Sequence, residues 1–123
     1  MIRVLVVDDQ HLVRQGICSL LALSPSVQVV GEASHGDEAL ALLDQLDVDV
    51  MLLDLNLPDI DGREVLKSLQ VRKPEELRCV LVVSGDARPE RAEEVRSLGA
   101  DDLVPKPVTM ERILEALAAH RVI

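Results

Sequence analysis

Five short apolar runs, each followed by a stretch with helical spacing, constrain this chain more than any other feature. "VLVV" (4–7), "VQVVGEA" (27–33), "VDVMLLDL" (48–55), "CVLVVSG" (79–85) and "DDLVPKP" (101–107) read as strands. "LVRQGICSLLAL" (12–23), "DEALALLDQL" (37–46), "REVLKSLQ" (63–70), "RPERAEEVRSLG" (88–99) and "TMERILEALAAH" (109–120) read as helices. The runs at 4–7, 48–55 and 79–85 are apolar almost throughout, a pattern typical of strands covered on both faces. "VQVVGEA" alternates only weakly and reads as a half-covered edge strand. Strict β-α alternation predicts a parallel sheet with helices on both faces.

Local signals place the ends of these elements. Ser34 or Asp37 is expected to start the second helix and Thr109 the fifth. Pro58 and Gly62 mark a turn before the third helix, and the fourth has Pro89 near its start and Gly99 at its end. Leu12, Ile17, Leu20, Leu21 and Leu23 are expected to lie largely on one face of the first helix. A chain of 123 residues with no repeat or linker is expected to form one domain over 1–123, without an output module.

Composition excludes several functions. Hydrophobic residues make up 48%, yet Phe, Tyr and Trp are absent, so Val, Leu, Ile and Ala must fill the core. Twenty-two acidic against 13 basic residues leave a net charge of −9. With no basic cluster, and no aromatic to stack on a base, neither nucleic acid nor an anionic membrane suits this domain as a partner. Cys18 and Cys79 lie outside any metal-ligand spacing and are expected to be reduced, mostly buried thiols of a cytosolic protein. No signal peptide or membrane-length apolar run is legible, so a cytoplasmic, soluble protein is expected.

The charged residues at the strand ends carry the chemistry. In such folds the ligand site lies outside the carboxyl ends of the strands. Asp8 and Asp9 end the first strand, Asp54 the third and Ser84 the fourth, and Lys106 follows the fifth. One acidic residue before a helix is explained by capping, as Asp9 alone would be; a set at successive strand ends asks for more. Three converging carboxylates raise one another's pKa unless a cation sits among them, and oxygen ligands suit a hard divalent ion, Mg²⁺. Beside such an ion Asp54 can attack phosphorus as a nucleophile. Mg²⁺ and Lys106 would neutralise the phosphoryl oxygens, and Ser84 would donate a hydrogen bond to one of them. The product is an aspartyl phosphate, whose added charge can move Ser84 and the following loop.

Rival readings fail on particular residues. A Mg²⁺-dependent aspartyl phosphatase needs a second acid two positions after its nucleophile, where this chain has Asn56, which has no proton to transfer. The expectation is therefore a switch that catalyses only its own aspartyl phosphorylation and dephosphorylation. A flavodoxin-like electron carrier would want aromatics around its flavin. An interaction module that is never phosphorylated would have no use for the complete acidic set. His11, His35 and His120 share no ligand spacing and are expected to face solvent, as is the charged face of "RPERAEEVRS".

"VLVVDD", "MLLDLNLPDIDG", "VLVVSG" and "GADDLVPKP" together resemble the CheY-like receiver domain of two-component response regulators. "DDQHLVRQGICSLL" and "VVGEASHGDEALALL" are most similar to receivers of the NarL/FixJ type, which usually precede a helix-turn-helix DNA-binding domain. The resemblance implies a flavodoxin-like, doubly wound five-stranded sheet of order 2-1-3-4-5. It implies Asp54 as phosphoacceptor, Asp9 and Asp54 as direct Mg²⁺ ligands, Asp8 acting mainly through water, and Asn56 supplying a backbone carbonyl. Ser84 corresponds to the switch hydroxyl and Lys106 to the lysine before a proline, with Lys106–Pro107 a candidate cis bond. The implied partners are a histidine kinase or phosphotransfer protein, and a second copy through the face of helix 4, strand 5 and helix 5. The implied output is transcription; a stand-alone phosphorelay shuttle or adaptor is the alternative. Leu103 departs from the pattern, standing where the family commonly has an aromatic.

Overall fold

A computed structural model describes residues 1–123. Five strands, β1 (Ile2–Val7), β2 (Val27–Ala33), β3 (Val50–Asp54), β4 (Cys79–Ser84) and β5 (Asp102–Pro105), form one parallel sheet in the order β2-β1-β3-β4-β5. The helices are α1 (His11–Leu21), α2 (Gly36–Gln45), α3 (Gly62–Val71), α4 (Pro89–Ser97) and α5 (Met110–Ala119). This is the expected doubly wound architecture, with β2 on an edge.

Alternation along the central strands explains the two cores. Leu5, Val7, Met51, Leu53, Val80 and Val82 point to one face, where Leu43 of α2, Val65 and Leu66 of α3 and Val95 of α4 cover them. Val4, Val6, Val50, Leu52, Leu81 and Val83 point to the other, under Ile17 and Leu21 of α1 and Ile113 and Leu117 of α5. Aliphatic side chains, joined by Met51 in one layer and Cys79 in the other, fill both without an aromatic ring.

The first helix departs from its expected face. Ile17 and Leu21 are buried, but Leu12 is 84% and Leu23 80% exposed. Leu12 precedes Ile17 by five residues, a rotation about 140° away from the buried stripe, and Leu23 lies beyond the last helical residue.

Capping follows the sequence at α5 and not at α2, and α3 has a cap that the turn signals Pro58 and Gly62 did not name. Asp61 accepts the Arg63 N–H at the start of α3, and Thr109 accepts that of Arg112 at the start of α5. Neither Ser34 nor Asp37 caps α2; His35 occupies the cap position without a side-chain bond. The Asp59 carboxylate, from the loop after β3, accepts the N–H groups of Gly36 at 2.8 Å and Asp37 at 3.2 Å instead. Glu38 reaches back to the Ser34 N–H at 2.8 Å. A helix start needs acceptors for its free N–H groups, and a carboxylate distant in sequence serves as well as a local one. Gly99, at φ +104°, closes α4 in the left-handed region open to glycine.

Candidate functional site

Register brings the predicted residues to one level. Val7 pairs with Leu53, Asp54 with Val83, and Ser84 with Pro105. Asp8, Asp54, Ser84 and Lys106 therefore leave the sheet at the same edge. Asp8 is 1%, Asp54 4% and Ser84 7% exposed, whereas Asp9 and Asn56 face solvent.

Carboxylate oxygens of Asp8, Asp9 and Asp54 lie within 4.8 Å of one another. Lys106 Nζ stands 3.5 Å from Asp8 Oδ2 and 3.6 Å from Asp54 Oδ2, so one ammonium serves two buried carboxylates. Asp8 Oδ1 accepts the Gln10 N–H at 2.9 Å, and Asp54 Oδ1 accepts that of Asn56 at 3.2 Å. Asp8 Oδ2 is buried and has no hydrogen-bond partner. Such an oxygen is costly unless a ligand completes it. Three hard oxygen donors, one of them met only by the Lys106 ammonium at 3.5 Å, fit a hard divalent cation such as Mg²⁺. Burial pushes the Asp54 carboxyl above its ordinary range, and the charges of Asp8 and Asp9 add to this against the Asn56 N–H and Lys106.

Neighbouring contacts hold these groups in place. The Arg14 guanidinium donates to the Asp8 carbonyl at 2.8 Å and to Glu32 at 3.1 Å, tying α1 and β2 to the end of β1. Gly62 donates its N–H to the Leu55 carbonyl at 2.8 Å. A Cβ at Gly62 would lie 2.6 Å from Leu55 Cα and 2.8 Å from the Asp54 carbonyl oxygen, so only glycine lets α3 start against the strand end. Ser84 Oγ accepts the Asp86 N–H at 3.0 Å, and the Lys106 N–H is donated to the Ser84 carbonyl at 2.9 Å. The Lys106–Pro107 bond is cis, as the resemblance implied. Leu103 is half-buried against the core shared with α2, α3 and α4.

The structural parts played by Arg14 and Asp59 were not legible as such, because their partners come together only on folding. The three histidines are exposed, but two meet carboxylates: His120 contacts Asp102 at 3.0 Å and His35 lies 4.0 Å from Asp59. Cys18 and Cys79 are unpaired; Cys79 is buried and Cys18 half-buried. Burial pushes the Cys79 thiol up to about 12 and the Cys18 thiol up to about 11, which disfavours the nucleophilic thiolate in both.

Residues 4–118 match the family model described as response regulator receiver domain. The nitrate/nitrite response regulator protein NarL of Escherichia coli K12 is 35% identical over 114 residues, 93% of this chain and 52% of that protein. A protein-glutamate methylesterase/protein-glutamine glutaminase of Halalkalibacterium halodurans is 40% identical over 108 residues, 86% of this chain and 30% of that protein. Among solved structures, the signal receiver domain of response regulator NarL from Mycobacterium tuberculosis superposes with a TM-score of 0.86 at 36% identity. That match covers 98% of this chain and 96% of that one. The chain thus spans about half the length of one curated relative and under a third of the other.

Proposed function

This chain belongs to the response regulator receiver domain family, and on that premise we propose that it accepts a phosphoryl group on Asp54 from a histidine kinase or phosphotransfer protein. The observation that carries the proposal is the buried Asp54 carboxylate, set among Asp8, Asp9 and the Lys106 ammonium at one sheet edge.

A carboxylate oxygen of Asp54 forms the new P–O bond while the P–N bond of a donor phosphoimidazole breaks. The imidazole nitrogen leaves with the electron pair and takes a proton. Asp8, Asp9, Asp54 and the Asn56 carbonyl would hold Mg²⁺, which when bound offsets negative charge on the transferring group. Lys106, whose Nζ lies 3.6 Å from Asp54 Oδ2, would offer its ammonium to the phosphoryl oxygens. Ser84 accepts from Asp86, which leaves its own proton free to be donated to a phosphoryl oxygen. Asn56 provides no general acid or base to hydrolyse the product, so the aspartyl phosphate persists as a signal. Dephosphorylation is the only other reaction assigned to this domain.

Receivers of this kind occur both in NarL and in a methylesterase relative, so the receiver alone does not dictate what is switched. The NarL/FixJ likeness favours transcription through a DNA-binding domain, with homodimerisation through α4, β5 and α5. No helix is long and apolar enough to cross a membrane.

Incubation with an acyl phosphate and Mg²⁺ tests the assignment. The wild type should take up one alkali-labile phosphate per chain and Asp54→Asn none. Undiminished uptake by Asp54→Asn would place the nucleophile elsewhere.

A further inference from the structure

α4 is held down differently from the other helices. α1 buries Ile17 and Leu21, α3 buries Val65, Leu66 and Leu69, and α5 buries Ile113, Ala116 and Leu117, whereas Val95 is the only buried residue of α4. One apolar anchor fixes neither the tilt nor the rotation of a helix, which needs a stripe of contacts along its length. Leu98, just past the end of α4, is half-buried on the same core, and the side-chain fastening along the helix itself is otherwise ionic.

Arg63, in the first turn of α3, grips Glu94 of α4 with two hydrogen bonds, Nε to Oε2 at 2.8 Å and Nη2 to Oε1 at 3.2 Å. Arg91 Nε reaches the same carboxylate at 3.1 Å, and Arg91 Nη2 lies 3.4 Å from Asp86 Oδ2. Asp86 also holds Arg88, the cap residue of α4, with 2.9 Å bonds to each of its oxygens. The same Asp86 donates its backbone N–H to Ser84 Oγ at 3.0 Å. A continuous polar path thus runs from the hydroxyl at the end of β4, along α4, to α3.

We propose that Asp86, Arg91, Glu94 and Arg63 form a positioning relay coupling Ser84 to α4, so that the state of Asp54 is expressed as the placement of that helix. The inference rests on the roles given above to Asp54 and Ser84. A Ser84 hydroxyl drawn toward a phosphoryl group either carries Asp86 with it or releases the Asp86 N–H. Both outcomes reach Arg88 and Arg91, because the same residue holds them. Arg63 supplies the fixed end, since α3 begins packed against the backbone of Leu55. Ion pairs at partly exposed positions are weak and exchange readily, which suits a joint that must move.

Amide hydrogen exchange across α4, measured on the whole chain in Mg²⁺ with and without beryllofluoride, reads the coupling. In the wild type, beryllofluoride should change protection of the α4 amides about fivefold or more. Glu94→Gln and Arg63→Gln should each cut that response to less than half, and the conservative Arg63→Lys, which keeps the charge opposite Glu94, should retain clearly more of it than Arg63→Gln. Single variants that respond like the wild type overturn the relay. So does a wild-type α4 indifferent to bound beryllofluoride. Binding itself is followed by the fluorine resonance of the bound species, with Asp54→Asn as control. A wild type that binds none removes the assignment of Asp54, and the relay with it, an outcome distinct from binding without any response in α4.

Discussion

Lys106 faces Asp54 across the end of β4, Nζ to Oδ2 at 3.6 Å, and the same ammonium stands 3.5 Å from Asp8. Two buried carboxylates thus depend on one cation carried by the chain itself. Lys106→Met should destabilise the protein by about 2 kcal/mol, because it leaves those charges without their partner. Phosphate uptake from an acyl phosphate should fall roughly tenfold or more, since a donor to the phosphoryl oxygens is lost. Denaturant unfolding and phosphate incorporation check the two halves separately. A variant that unfolds earlier but is phosphorylated at the wild-type rate would confine Lys106 to a structural part.

Asp9 is the exposed member of the acidic cluster, so its removal costs the fold little. Asp9→Ala should therefore melt near the wild-type temperature while binding Mg²⁺ about tenfold or more weakly, the effect of losing one charged ligand. Calorimetric titration with MgCl₂ measures this directly; the chain has no tryptophan to report it by fluorescence. Unchanged affinity would move the metal away from this cluster.

Two glycines offer opposite outcomes for one substitution. Gly62→Ala pushes a Cβ to 2.6 Å from Leu55 Cα, a backbone atom beside Asp54 that cannot step aside cheaply. It should cost about 3 kcal/mol and lower phosphate uptake with it. At Gly16, inside α1, a Cβ meets nothing within 4 Å. Gly16→Ala should raise stability by about 0.5–1 kcal/mol through helix propensity alone. Thermal melts of both variants should differ in sign.

Much of this architecture was legible because apolar runs stop abruptly at polar residues. "VLVV" ends at Asp8 and "VMLL" at Asp54, so strand ends and the carboxylate cluster appear together. Long-range fastening was not legible. Asp59 caps α2 across 23 positions, and Arg63 reaches Glu94 across 31, separations that no local pattern encodes. Ser34 and Asp37 misled because a good cap residue marks a possible start without excluding a better acceptor from elsewhere. Leu12 and Leu23 misled because the apolar stripe of α1 is narrower than its leucine content. The face of α4 reads as solvated charge in sequence, yet Arg63 and Glu94 bind each other on it.

Acid should expose the contribution of Asp49, which ties the loop before β3 to β1. Its carboxylate accepts the Arg3 backbone N–H at 2.8 Å and the Arg3 guanidinium through two bonds of 3.1 Å. The Arg3 side chain, and then its backbone N–H, hold the Asp49 carboxyl below its ordinary range in spite of burial. The folded pKa therefore lies below the unfolded one, and the unfolded chain takes up the proton first as the pH falls. The stabilisation is complete above the unfolded value of about 3.9 and is lost as the pH drops toward the folded pKa. Asp49→Asn keeps the shape but loses the charge, so it should cost about 1–2 kcal/mol at pH 7. Melts of wild type and variant should converge as the pH is taken below about 4. A deficit as large at pH 3 as at pH 7 would mean that Asp49 stabilises through shape and packing, with its charge playing no part.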